Sequence, residues 1–232
     1  MARVSLHPRL ALFLGAVLAL ALGIAILGGT LWFFGTNEPL LESWLDWDAV
    51  PEELGLTEAD RKPIAQLVAD TMAGREKVFQ YKGLFSHQAE THMADCAPLF
   101  GLARTVGLVG FVVFLAALGG CFFCRAWRNT AIGMLIGVGL LLLIVLVLGI
   151  WGLINFDSLF TTFHKTFFTN DDWLFPANDL LIILMPISFF IRYAAVGCGL
   201  WLACLIAAAA VAGLILRRTS SALRAPSPKR EG

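Results

Sequence analysis

The chain carries four histidines, and three of them, His87, His92 and His164, stand in polar segments between long apolar runs. An imidazole titrates near neutrality, so it can take a proton from a nucleophile and hand it to a leaving group. His92 is followed three residues later by Asp95, within side-chain reach on a helix, where a carboxylate can fix the imidazole tautomer and raise its basicity. His164 has Asp157 two helical turns earlier on one face and Asp179 beyond the next turn. Together these residues offer general acid–base chemistry. The plain alternative is that the histidines anchor or pack at a lipid boundary, with Asp157, Asp171 and Asp172 solvated or capping. His92, His164, Asp95 and Asp179 could in principle ligate a metal, but there is no HExxH and no local histidine pair, so no metal is expected. There is also no GxSxG elbow, P-loop or dinucleotide fingerprint. His7 lies near the start and is set aside; His87 is a minor candidate.

Composition says what must position these groups. Of 232 residues, 58% are hydrophobic and 15% charged, whereas soluble domains run nearer about 45–50% and about 25%. A soluble core of this length cannot hide that excess. Four stretches reach the roughly 20 apolar residues that a hydrocarbon core demands: about 10–35, 105–124, 131–154 and 193–216. Lipid offers no water to backbone groups, so each should be a helix. The first run continues to Phe34, well past the h-region of a signal peptide, and reads as an uncleaved anchor. The expected fold class is an all-α membrane protein with four transmembrane helices, an extracytoplasmic helical subdomain and an interfacial or re-entrant segment.

Charge sets the expected orientation. The N-terminus, the connection at Arg125 and Arg128, and the tail from Arg217 hold nine basic residues and one acid, Glu231. Segments 36–104 and 155–192 hold the other eight basic and all sixteen remaining acidic residues. The positive-inside rule then places both termini in the cytosol and both long segments outside. Residues 1–217 form one expected membrane domain, with 218–232 a disordered cytosolic tail rich in Ser, Pro and Arg. No basic stripe suggests nucleic acid.

Local patterns fill in the outer segments. Thr57 with Asp60 predicts a helix start, followed by Ile64, Leu67, Val68 and Met72 at helical spacing. Ser86 is a candidate N-cap for a second helix carrying Ala89, His92, Met93 and Cys96 on one face, and Pro98 fits the first turn of the second span. Phe156, Leu159, Phe160, Phe163 and Phe167 predict an amphipathic outward continuation of the third span, ended by a turn at Asn170–Asp172. Residues 173–190 are too broken by Pro176, Asp179 and Pro186 to span, and too apolar for open water. Gly15, Ala19 and Gly23 form one small-residue ladder and Gly133 and Gly137 another, features that let helices approach closely. Cys121 and Cys124 form a CxxC at an apolar helix end, read as two small buried thiols.

Two stretches carry a family resemblance. His92-Met93-Ala94-Asp95 resembles the His-(Met/Leu)-x-Asp element of the bacterial lipoprotein intramolecular transacylases. Residues 163–176, from Phe163-His164 through Asn170-Asp171-Asp172-Trp173 to Pro176, resemble that family's second element, and Asp179, Pro186, Phe189 and Phe190 continue the pattern. The chain departs from it at Cys96, where Val is expected, and at Ile187, where a Glu usually follows the proline. The motifs span about 40 residues, while the four-span layout agrees over most of the chain. The resemblance implies a multi-pass protein of the bacterial inner membrane acting on diacylated lipoproteins. It would move the sn-2 acyl chain of the diacylglyceryl group to the α-amino group of the N-terminal Cys, leaving a lyso-form lipoprotein. It implies His92 and His164 as the catalytic pair, with Asp95, Asp157, Asp179, Asn170 and Trp173 supporting or orienting them. Ester to amide runs downhill, so no cofactor is implied; substrate and membrane lipid are the expected partners. The rival readings are another lipid acyltransferase or hydrolase using the same histidines, and a non-enzymatic membrane assembly factor.

Overall fold

The computed structural model describes residues 7–124 and 126–224, and its regular elements are all helical. In order they are α1 (Pro8–Thr36), α2 (Glu38–Trp44), a single 3-10 turn (Glu52–Leu54), α3 (Glu58–Met72), α4 (His87–Cys124), α5 (Trp127–Ile154), α6 (Phe156–Phe167), α7 (Leu180–Leu184) and α8 (Ile187–Arg224). Helices α1, α4, α5 and α8 are long and apolar enough to cross a membrane.

The boundaries differ from expectation in four places. The helix expected from Ser86 and the second span are one continuous α4, with Pro98 in its interior instead of in a first turn. A proline there removes one backbone bond, but the turns before it are held independently by Ala89 and Met93, both buried in a core. The third span does not run on unbroken: α5 stops at Ile154, and Asn155 caps a new helix by accepting the Ser158 N–H at 2.9 Å. Phe189 and Phe190 belong to α8, which begins directly after Pro186. That helix continues to Arg224, so residues 218–224 of the expected disordered tail are helical; residues 225–232 lie outside the described residues.

The chain divides into two compact units, and each is described by itself. The first comprises the described parts of residues 1–25, 109–147 and 200–232. Here the two small-residue ladders meet: a Cβ on Gly15 would lie 2.0 Å from the Thr130 carbonyl, and one on Gly133 would lie 1.9 Å from the Leu12 carbonyl. Gly137 likewise abuts Ala16 and Ala19. Trp201 closes this packing by donating its indole N–H to the Gly23 carbonyl at 2.8 Å.

The second unit comprises residues 26–108 and 148–199. Its core joins Leu41 and Leu45, Ile64 and Val68, Phe79 and Phe85, Ala89 and Met93, and Leu180, Leu184 and Phe189. The start of α3 follows the expected pattern, with the Asp60 carboxylate accepting the N–H and hydroxyl of Thr57 at 2.8 and 2.9 Å. The same carboxylate accepts from Tyr81 at 2.6 Å and pairs with Lys82, which fastens the 73–86 loop. Those donors hold Asp60 well below the usual carboxylate range, the Lys82 contact contributing most. That loop leads directly into the turns of α4 that precede its apolar stretch, where His92 sits.

Candidate functional site

Ser86 starts α4 by accepting the Ala89 N–H at 3.0 Å, and it donates its hydroxyl to the buried Asp179 carboxylate at 2.6 Å. The other Asp179 oxygen accepts the Leu181 N–H at 2.9 Å, capping α7. One carboxylate therefore ties the starts of two helices together. Asp95 accepts from the Asn170 amide at 2.7 Å, and Gln88 donates to the Leu174 carbonyl at 2.8 Å. These two bonds strap the 168–176 segment along the first turns of α4.

Under that strap the two histidines converge. The rings of His92 and His164 lie 5.8 Å apart between centroids, at 31° to one another, although 71 residues separate them in sequence. Both are buried, at 8% and 7% exposure. An aromatic box encloses them. Trp173 stacks on His164 at 4.8 Å and Phe160 packs on it at 4.1 Å. Phe168 contacts both imidazoles, at 4.9 and 5.4 Å, and Phe175 meets the edge of His92 at 5.5 Å.

Hydrogen bonding sets the state of each imidazole. His164 Nδ1 lies 2.8 Å from the Phe160 carbonyl oxygen. A carbonyl only accepts, so Nδ1 carries the hydrogen and the Nε2 lone pair of the neutral ring is free. His92 Nε2 lies 3.5 Å from Cys96 Sγ, while its buried Nδ1 has no partner. Burial pushes the Cys96 thiol up to about 12, so it stays protonated beside His92 Nε2. Burial also lowers His92 to about 4, with the neighbouring His164 opposing a second positive charge. His164 is lowered as well, again chiefly by burial, against the pull of its bond to Phe160. Both rings are therefore neutral at pH 7. A neutral pair can supply one lone pair as base and one N–H as hydrogen-bond donor, in a setting that excludes bulk water.

The supporting residues fall differently. Asp95 bonds Asn170 and has no hydrogen bond to His92; its field raises His92 only as the smallest of three influences. Asp179 engages Ser86 and Leu181 instead of His164. Asp157 is exposed in the first turn of α6. Trp173 and Asn170 both reach the site, the first by stacking and the second by holding the segment that carries it. His87 is exposed, 3.4 Å from Glu90. Among the described residues no three His, Cys, Asp or Glu side chains converge as a metal cluster. Gln88, Phe160, Phe168 and Phe175 join the site, though the sequence does not single them out as site residues. Phe160 is legible only on the apolar face of α6, and Phe168 and Phe175 only as members of the 163–176 element, while Gln88 leaves no trace.

A search of curated proteins finds no match. Among solved structures, the membrane integral lipoprotein intramolecular transacylase Lit of Bacillus cereus superposes with a TM-score of 0.76. The identity is 16%, with 93% of this chain and 100% of that chain covered. Two variants of that protein, one histidine replaced by arginine or by alanine, give TM-scores of 0.68 and 0.69, again at 16% identity. They cover 92% of this chain and 95% and 96% of theirs. At that identity the likeness is one of fold, a four-span all-α membrane protein. The profile of the lipoprotein intramolecular transacylase (Lit) family matches residues 16–190, three quarters of the sequence and the whole of the histidine site, so the chain belongs to the Lit family of membrane transferases.

Proposed function

We propose that the chain transfers the sn-2 acyl group of a lipoprotein's diacylglyceryl moiety to the α-amino group of the same molecule's N-terminal Cys, with His92 and His164 as the reacting side chains. The observation that carries this reading is the pair of buried imidazoles, 5.8 Å apart in an aromatic box. The amine attacks the ester carbonyl carbon, a C–N bond forms, and the C–O bond to glycerol breaks. His164 Nε2, whose lone pair its Phe160 bond leaves free, takes the proton from the attacking nitrogen and returns it to the departing glycerol oxygen. His92 Nδ1 is buried without a protein partner, and in this reading it carries the ring hydrogen and donates it to the developing oxyanion. Atoms balance within the one substrate, and no cofactor enters.

The energetics suit the site. A terminal amine has a pKa of about 7.7–8.0, so part of it is already nucleophilic at neutral pH. General acid–base help supplies roughly 10²–10⁴-fold, and an oxyanion donor about 10²–10³-fold. Holding amine and ester in one molecule at a fixed distance supplies much of the rest. The apolar walls of Phe and Trp disfavour water, which favours aminolysis over hydrolysis of the same ester. In this reading both termini are cytosolic and the histidine box faces the outer side of a bacterial inner membrane, as the charge distribution of the connections implies.

The deciding test is mass spectrometry of a synthetic diacyl lipopeptide incubated with purified protein. The expected product has unchanged total mass with one acyl chain on nitrogen, and its rate of formation falls at least about 100-fold in His92→Ala and in His164→Ala. Full activity in both variants would sink the assignment. Released fatty acid without N-acylation would instead favour a lipid hydrolase.

A further inference from the structure

A second concave region lies in the same unit as the histidines but on the other side of α4. It is a cavity of about 690 Å³ bounded by Trp32, by Thr71 and the residues after α3, and by a stripe of α4 from Ala94 to Leu108. At about 100° per residue, Ala94, Ala97, Gly101 and Thr105 point roughly opposite to His92 and Cys96 around the α4 axis. The cavity is thus no part of the acyl-transfer box.

Its chemistry is mixed. Arg104 holds its guanidinium 5.1 Å over the Trp32 indole, and Lys77 adds a second cation. Neither has an ion-pair partner among the described residues. The one acid on the rim, Glu76, turns a carboxylate oxygen onto the N–H groups of Lys77 and Val78, at 2.8 and 3.1 Å. At the inner wall the Thr71 hydroxyl is buried without a partner. Pro98 has no N–H to offer the Ala94 carbonyl, and both residues border the space. Toward the apolar stretch of α4 the wall ends in Leu108. The cavity therefore joins two cations that lack ion-pair partners to the Ala94 carbonyl that Pro98 leaves without its helix donor and, one turn beyond Arg104, to the apolar side chain of Leu108. That combination fits an amphiphile with a negatively charged, hydroxyl-bearing head. Its volume lies within the range of specific small-ligand sites, about 300–1,000 Å³.

We propose that this cavity binds an anionic glycerophospholipid, its phosphodiester between Arg104 and Lys77 and an acyl chain along Leu108. The lipoprotein's own diacylglyceryl thioether carries no phosphate and leaves both cations unanswered, so the occupant is a separate lipid molecule. The inference does not depend on the acyl-transfer reading.

The test is native mass spectrometry of the purified full chain after delipidation, titrated separately with phosphatidylglycerol and phosphatidylcholine of identical chains. Wild type is expected to retain one phosphatidylglycerol in preference to phosphatidylcholine. Lys77→Glu and Arg104→Ala are each expected to weaken that retention about five-fold or more. Gly101→Leu fills the space with both cations intact; a Cβ there meets no atom within 4 Å, so this variant should fold and still lose the lipid. Glycerol 3-phosphate at matched concentration should not displace it. Equal retention of the two lipids by wild type would overturn the proposal, as would unchanged binding by all three variants. Displacement by glycerol 3-phosphate would also overturn it, in favour of a soluble anion.

Discussion

His92 and His164 share a box but are held by different partners, a backbone carbonyl for one and a thiol for the other. The acid limb of the reaction should then belong to the substrate. Both imidazoles are already deprotonated at pH 7, because burial lowers them, whereas the terminal amine loses its proton only near about 7.7–8.0. A pH profile of kcat/KM should therefore rise through pH 7–8 and level off, and it should move with the amine pKa when the lipopeptide's N-terminal residue is altered. A limb fixed near pH 6.5 for every substrate would contradict this. Stability should show the opposite group. His92 has a folded pKa of about 4 against about 6.5 unfolded, so below pH 6.5 the unfolded chain binds a proton that the folded one refuses. The folded state should lose stability as pH falls from 6.5 toward 4, by an amount on the order of 3 kcal/mol, and His92→Gln should flatten the pH dependence of the melting temperature. Cys96 offers a third readout. With its thiol pushed up to about 12, it should resist maleimide at pH 8 in the folded protein and react once denatured, as peptide mass spectrometry would record.

At the scale of elements, the site exists because short polar contacts bind segments far apart in sequence. Asp179 spans 93 positions to reach Ser86, and Asp95 spans 75 to reach Asn170. The histidines, the amphipathic α6 and the capping residues are legible in the sequence, because local periodicity and cap chemistry leave marks in neighbouring residues. The partners of Asp95 and Asp179 are not. A carboxylate three residues from a histidine looks like its orienter, yet Asp95 is only half-buried and turns to an amide, while burial and the neighbouring His164 govern His92. The two carboxylates should therefore separate in mutants. Asp179→Ala removes a buried carboxylate that accepts from the Ser86 hydroxyl and caps α7, so it should cost about 2 kcal/mol of stability, read as a lowered melting temperature. Asp95→Ala removes a more exposed bond and should cost less than about 1 kcal/mol. By loosening the strap that carries Trp173, however, it should lower kcat several-fold, and Asp95→Asn should recover part of that by keeping an acceptor for Asn170.

For the molecule as a whole, hydropathy marks four spans, and the structure places one long helix on each. Hydropathy does not mark where those helices stop, because capping by Asn155 and packing by Phe189 act outside the apolar windows that define them. Nor does it say which helix each small-residue ladder faces, since small residues advertise close approach without naming a partner. In the first unit the ladders face one another, with Gly15 against Thr130 and Gly133 against Leu12. In lipid there is no hydrophobic drive to hold apolar helices together, so this contact must rest on close backbone packing. A side chain at Gly133 would strike the Leu12 backbone, which cannot rotate aside as a flexible side chain can. Gly133→Leu should therefore separate α1 from α5 and cost about 3 kcal/mol or more, seen as lost folded yield and a lowered melting temperature in detergent. Gly139 lies on the same helix, and a Cβ there would meet no atom within 4 Å, so Gly139→Leu should leave both unchanged. Equal damage from the two substitutions would mean that leucine at any glycine of α5 is harmful, and that the α1–α5 contact does not hold this unit together.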